Sequence, residues 1–310
     1  MNISSFWLGT KEKNFKKIAE EWLLLKRYII KDSSYYRYKN TIENHFKSLF
    51  EIKASKLKKV DYNCFAEKLI CEYNPKTAKD IIIILKSILK YADQKYGTKI
   101  NTEMIVSPRT SFSKLLILDK SSQTSLSLYC MNSSEPRDIG VLMSLYTGMR
   151  IGEICALKWE DIHVDECYIE ISKTMERISM GNGKSYVYIG DAKTYSSVRN
   201  VPINQKLKGV LECMQSKLNP NGNEFFLTGE ENRFVEPRNL QYWFKRRLKL
   251  LNISENKFHI LRHTFATNCI RLGMDAKSLS EILGHSNVTI TLDKYVHSSY
   301  DTKMEYLEKM

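Results

Sequence analysis

The stretch LGHSNVTITLDKYVH, residues 283–297, places Tyr295 ten positions after His285 and two before His297. A phenol with its ordinary pKa of about 10 is a poor nucleophile at neutral pH. A tyrosine that attacks therefore needs a proton acceptor and nearby cations to offset the charge it develops. Three other stretches hold residues of those types. HILRHTFAT carries His259, Arg262 and His263; TGMRIGEICALKW carries Arg150 and Glu153; AKTYSSVRNVPI carries Lys193. Guanidinium groups stay protonated at any working pH and bind oxyanions through two parallel N–H groups. Two arginines, a lysine, histidines and a phenol together suit attack on a phosphate centre.

The elements that must position these groups follow from periodicity. In the first third, Phe15, Ile18, Ala19, Trp22 and Leu25 form one helical stripe, and Tyr35, Tyr38, Ile42, Phe46 and Leu49 form a second. Ser33 or Ser34 is the expected cap of that second helix. Asp61 starts a third helix, and Asn74 with Pro75 starts a fourth that stops near Gly97. Residues 106–125 read as a linker between a helical domain at 1–105 and a second domain at 126–310. In that second domain helices dominate from Pro136, interrupted by β signals at YIEIS, SYVYIG and VRNVPI. The expected fold is therefore mainly α: a four-helix domain, then an α+β domain with a small antiparallel sheet. Lys193 falls at the expected tip of a β-hairpin, and SSYDTKMEYLEKM, 298–310, reads as a short tail helix.

Charge points to the partner. The chain has 310 residues and a net charge of +13, with 21 basic and 12 acidic residues through Ile105 and 27 and 23 after it. A basic first domain favours a polyanion such as nucleic acid, although lysine is abundant throughout. The longest apolar run, IIIIL at 81–85, is too short to span a bilayer, and the N-terminus lacks the order of a signal peptide. The seven cysteines are scattered without paired spacing, which reads as reduced thiols. A cytoplasmic protein without a membrane partner is expected.

Arg150 in TGMRIGE, Lys193, the His259–Arg262 pair, His285 in LGH and Tyr295 occur in an order that resembles the tyrosine recombinases, the phage-integrase-type site-specific recombinases. The resemblance covers about residues 136–297, and the helical first third looks like that family's core-binding domain. It implies a DNA strand transferase that forms a 3′-phosphotyrosine, with Arg150, Lys193, His259, Arg262, His285 and Tyr295 catalytic and Tyr295 the nucleophile. In it His259 takes the phenol proton, His285 donates to a phosphate oxygen, and Lys193 protonates the departing 5′ oxygen. Glu153, His263 and His297 are expected to support these groups. No cofactor and no metal is implied. The implied partners are double-stranded DNA recombination sites, further copies of the chain in a tetramer on DNA, and an accessory DNA-bending or excision factor. About ten residues precede the first helix, which is expected to leave no room for an arm-binding domain.

Each feature also has an ordinary reading. Arg150 and Glu153 form an i,i+3 pair worth only tenths of a kcal/mol on an exposed helix. His259 and His263 are spaced as metal ligands, but the glutamate of an H-E-x-x-H site is missing and Arg262 sets a fixed charge beside them. Two rival classes stand beside this reading: a non-catalytic DNA-binding regulator that keeps the fold, and a type IB topoisomerase-like enzyme that shares the chemistry.

Overall fold

The computed structural model describes residues 13–109, 115–191 and 198–296, with Met304 and Glu308. They form two units. One holds the described residues through 109 together with Ile178–Tyr186; the other holds 115–177 and the described residues from 187 onward.

Polar caps open most of the first unit's α-helices. Helix α1, Phe15–Arg27, opens where the Asn14 side chain accepts from the Lys17 N–H. Helix α2, Asp32–His45, starts before Ser33 and Ser34, so neither serine caps it. Helix α3, Tyr62–Glu72, is capped by Asp61, which accepts from two backbone N–H groups. Helix α4, Pro75–Tyr96, starts at Asn74 with proline in its first turn, where no N–H is needed, and ends at Gly97 with φ +61°. Phe15, Ile18, Trp22, Phe46, Leu57, Ile82, Leu85 and Leu89 fill the interior. Leu23 is buried there while Leu24 and Leu25 are exposed, so the buried stripe of α1 does not extend to Leu25.

The second unit begins ahead of the expected boundary. Helix α5, Lys120–Met131, lies half inside the expected linker, opened by Asp119 accepting from the Ser122 N–H. It packs on α6, Pro136–Thr147. Upstream of it, Leu118 is buried and its N–H donates to Thr264 Oγ1 at 3.0 Å. Helix α7, Ile151–Ala156, follows α6 directly.

Among the described residues five short strands form two small sheets, where one small sheet is expected. Strand β1, Ile162–His163, pairs antiparallel with β2, Tyr168–Ile171, and β2 pairs antiparallel with β5, Arg199–Pro202, in register Ile169 with Val201 and Ile171 with Arg199. Strands β3, Lys173–Gly181, and β4, Lys184–Asp191, form a separate two-stranded sheet. Its turn, Asn182-Gly183, has φ of +51° and +74°, the two positive values a type I′ turn requires. The hairpin of this region thus turns at Asn182-Gly183. Lys193, the expected hairpin tip, lies outside the described residues.

Helices α8, Gln205–Leu218, and α9, Pro237–Leu250, complete the main core around Val141, Leu142, Phe226 and Phe244. Helices α10, His259–Arg271, α11, Ala276–Leu283, and α12, Thr289–Tyr295, close the chain's described part. A small apolar cluster of Ala266, Cys269, Leu279, Leu283 and Tyr295 joins these last three. The expected tail helix at 298–310 and His297 lie outside the described residues, save Met304 and Glu308. Among the described residues no helix is long and apolar enough to cross a membrane.

Candidate active site

The site forms where two helix ends meet. Helix α6 ends at Gly148, whose φ is +69°, and the chain turns at once into α7 with Arg150 as its N-cap residue. Glu153, one turn on, accepts from the Arg150 backbone N–H through Oε2 (2.8 Å) and from Arg150 Nη1 through Oε1 (2.7 Å). The pair is no exposed i,i+3 contact, because the Glu153 side chain is only 3% exposed. Burial pushes its carboxyl up, but Arg199 and then Arg150 outweigh that and hold the pKa below the usual value.

Helix α11 ends at Gly284, φ +63°, and the His285 N–H closes back onto the Ser280 carbonyl at 3.0 Å. The last carbonyls of a helix have no partner within it and carry the negative end of its dipole. Here three in succession meet three arginines. Ile282 O accepts from Arg199 Nε (2.6 Å), Leu283 O from Arg262 Nη2 (2.8 Å) and Gly284 O from Arg150 Nη2 (3.0 Å). Arg262 Nη1 also donates to Gly148 O at 2.9 Å, so one guanidinium ties both helix ends together. Arg262 is 1% exposed. Burial and then Arg150 lower its pKa to about 9, which still leaves it charged at neutral pH.

Tyr295, 6% exposed, shares a 2.8 Å hydrogen bond with His263 Nδ1. Burial raises the phenol's pKa; Arg262, Arg150 and a hydrogen bond from Arg262 oppose it. With the proton of His263 on Nε2, its Nδ1 accepts from the phenol. The His259 ring sits edge-on to His263 with centroids 4.4 Å apart, and the His285 ring lies parallel to Tyr295 at 6.5 Å. His285 Nδ1 shares a 2.8 Å hydrogen bond with Thr291 Oγ1, and Thr291 is fully buried.

All three histidines are depressed: His259 and His263 to about 4 and His285 to about 3, each by desolvation first. Arg262 and Lys294 act on all three, and Arg150 on His259 and His285. The His259 side chain is exposed, so its ring is only partly desolvated and the surrounding cations act beside that loss of water. At neutral pH the imidazoles are uncharged and able to accept protons, inside a site with an excess of fixed positive charge.

The fold thus brings together Arg150, Glu153, His259, Arg262, His263, His285 and Tyr295 from four helices and their termini. Lys193 and His297 are not among the described residues. His263, expected as support, contacts the phenol directly, whereas His259 was the expected acceptor. Two further residues were not singled out from sequence. Thr291 had no local signal. Arg199 had one: it shares a strand face with Val201, which is fully buried, so a charge points toward the core. Among the described residues no cluster of three metal-ligating side chains occurs.

The phage integrase family profile matches residues 112–302, more than half of the chain. The chain belongs to the phage integrase family. It is 27% identical over 314 aligned positions to a tyrosine recombinase XerC-like protein of Caldanaerobacter subterraneus subsp. tengcongensis, covering 90% of this chain and 78% of that protein. Other curated relatives are matched over about half their length. The Tn1549 transposon integrase, solved in complex with transposon right end DNA, aligns with a TM-score of 0.75 at 20% identity, covering 96% of this chain and 99% of that one. The lambda integrase tetramer bound to a Holliday junction aligns with a TM-score of 0.65 at 16% identity over 90% of this chain and 79% of that one. Both share the fold.

Proposed function

We propose that this integrase-family chain is a site-specific DNA recombinase of the tyrosine type, cutting and rejoining strands through a 3′-phosphotyrosine at Tyr295. The observation that carries the reading is the convergence of two guanidiniums, Arg150 and Arg262, with a phenol hydrogen-bonded to a neutral imidazole. The Tyr295 oxygen attacks the scissile phosphorus and the bond to the 5′ oxygen breaks. The phenol proton passes to an imidazole. In the resting site the phenol keeps its proton and is hydrogen-bonded to His263, and His259 adjoins His263. The 5′ oxygen leaves with a proton, for which Lys193 is the candidate donor. A second 5′-hydroxyl then reverses the attack, so the phosphotyrosine retains the bond and no ATP is consumed.

In this reading Arg150 and Arg262 stabilise the charge on the non-bridging oxygens without a metal ion, each worth about 3–4 kcal/mol when its donor is lost. The same reading has Thr291 Oγ1, 2.8 Å from His285 Nδ1, donate to that nitrogen, so that His285 carries its proton on Nε2 and donates it to those oxygens. Glu153 orients Arg150. The N-terminal helical part of the chain, residues through about 105, acts as the core-binding domain, and four copies assemble on two DNA sites with an accessory bending or excision factor. The work takes place in the cytoplasm, where DNA of a mobile element or chromosome lies.

The test is capture of the covalent adduct. The chain is incubated with sheared DNA from the region around its own gene, stopped with detergent, and protein-linked 3′ ends are sequenced. Adducts at one repeated sequence, lost with Tyr295→Phe, are expected. Adducts without sequence preference would favour a topoisomerase-like enzyme, and sequence-specific binding without adducts would favour a regulator.

A further inference from the structure

We propose that Arg199 is a positioning residue of this site, one that neutralises Glu153 and thereby leaves the charge of Arg150 free for an anion. The inference rests on reading the site as one that binds phosphate. Arg199 stands on β5, outside the helices that carry the other groups. Its side chain is 7% exposed. It grips Glu153 with both nitrogens of its fork, Nη1 to Oε1 at 3.1 Å and Nη2 to Oε2 at 3.0 Å, while Nε holds Ile282 O. Each Glu153 oxygen thus accepts once from Arg150 and once from Arg199.

The charges show why this matters. Among the described residues three arginines, Arg150, Arg199 and Arg262, gather around the one carboxylate of Glu153 and the carbonyls beside it. Without Arg199, the buried carboxylate has Arg150 as its close cationic partner, and an arginine fully matched by a carboxylate binds a phosphate oxygen poorly. Arg150 is the exposed member of the pair, its side chain 36% exposed against 3% for Glu153, and it is the one able to meet a ligand. Position reinforces charge. Arg199 and Arg150 hold carbonyls two residues apart on the turn that leads into His285, so the strand sets where that turn lies relative to α7. Gly284 leaves room for this: a Cβ there would stand 2.9 Å from Arg199 Nη1.

A merely structural ion pair would give the same contacts, and a double-mutant cycle separates the two. The full chain and its R199Q, R199K, E153Q and E153Q/R199Q variants are compared by calorimetric binding of orthovanadate and by the single-turnover rate of DNA adduct formation. R199Q is expected to weaken orthovanadate binding about tenfold, with R199K recovering part of it. In the E153Q background the same change is expected to cost less than about twofold, because no carboxylate remains to neutralise. An equal loss in both backgrounds, or an R199Q protein that binds as the parent does, overturns the proposal. If R199Q does not fold, the double variant decides: binding like E153Q supports the role, and binding about tenfold weaker overturns it. A parent chain that binds orthovanadate in the expected pattern yet forms no DNA adduct would sink the recombinase reading and leave the role of Arg199 standing.

Discussion

Arg262→Lys tests the site at its most constrained point. The guanidinium spans two carbonyls, Gly148 O at 2.9 Å and Leu283 O at 2.8 Å, at the ends of two helices. A lysine keeps the charge but presents one nitrogen on a shorter reach, so at least one of those bonds is lost. A hydrogen bond to a charged group contributes about 1.5–3 kcal/mol, which sets the expected loss of stability. The loss in catalysis is larger in rate terms: a misplaced oxyanion donor slows the chemical step about 10²–10³-fold. DNA affinity, dominated by phosphate contacts elsewhere, is expected to change less than about threefold. Stability is read by urea denaturation, and the chemical step by quenched adduct formation at saturating DNA. If Arg262→Lys forms adduct within about threefold of the parent rate, the two-carbonyl tether is not what places the charge, and the argument fails.

Three further outcomes follow from the same geometry. Gly148→Ala forces a side chain at φ +69° and sets a Cβ 2.6 Å from Phe265 Cδ1 and 2.7 Å from Leu283 Cδ2; a loss of about 2 kcal/mol or more is expected, read from the urea midpoint. Thr291→Val removes the partner of His285 Nδ1 at nearly constant volume, with about 1 kcal/mol lost in stability and slower adduct formation; an unchanged rate would separate His285 from the chemistry. The histidines give a pH dependence of definite sign. Their folded values, about 4, 4 and 3, lie below the ordinary 6.5, so between pH 6.5 and 4 the unfolded chain binds protons that the folded one refuses. Stability is therefore full above pH 6.5 and falls as the pH drops through that window. The exposed His259 contributes least. A urea midpoint at pH 5 equal to or above that at pH 7.5 would contradict it.

The helices of the first unit were legible because their signals are local. Asp61, Asn74-Pro75 and Gly97 act within one turn of themselves, and the apolar stripes repeat along one chain segment. Ser33 and Ser34 are good caps by residue type, but the helix begins one residue ahead of them, at Asp32, and a cap preference alone does not fix the first turn to within a residue or two. Of the β3–β4 hairpin only the second strand is plain in sequence, as the run SYVYIG, although Asn182-Gly183 marks the turn. Strand β3 mixes lysine, glutamate and arginine with apolar residues, which blurs its alternation.

By itself the sequence determined which residue types exist and in what order: two arginines, the paired histidines, the LGH turn and the late tyrosine. Chemistry of that kind is a property of side chains, so it can be read without coordinates. Only the tertiary structure decided who touches whom. Arg199 reaches Glu153 across 46 positions and Ile282 across 83, and His263 reaches Tyr295 across 32. No local periodicity encodes such contacts. They arise because the open carbonyl ends of α6 and α11 meet in a buried place where each unpaired oxygen must find a donor, and the arginines are the donors the fold brings there.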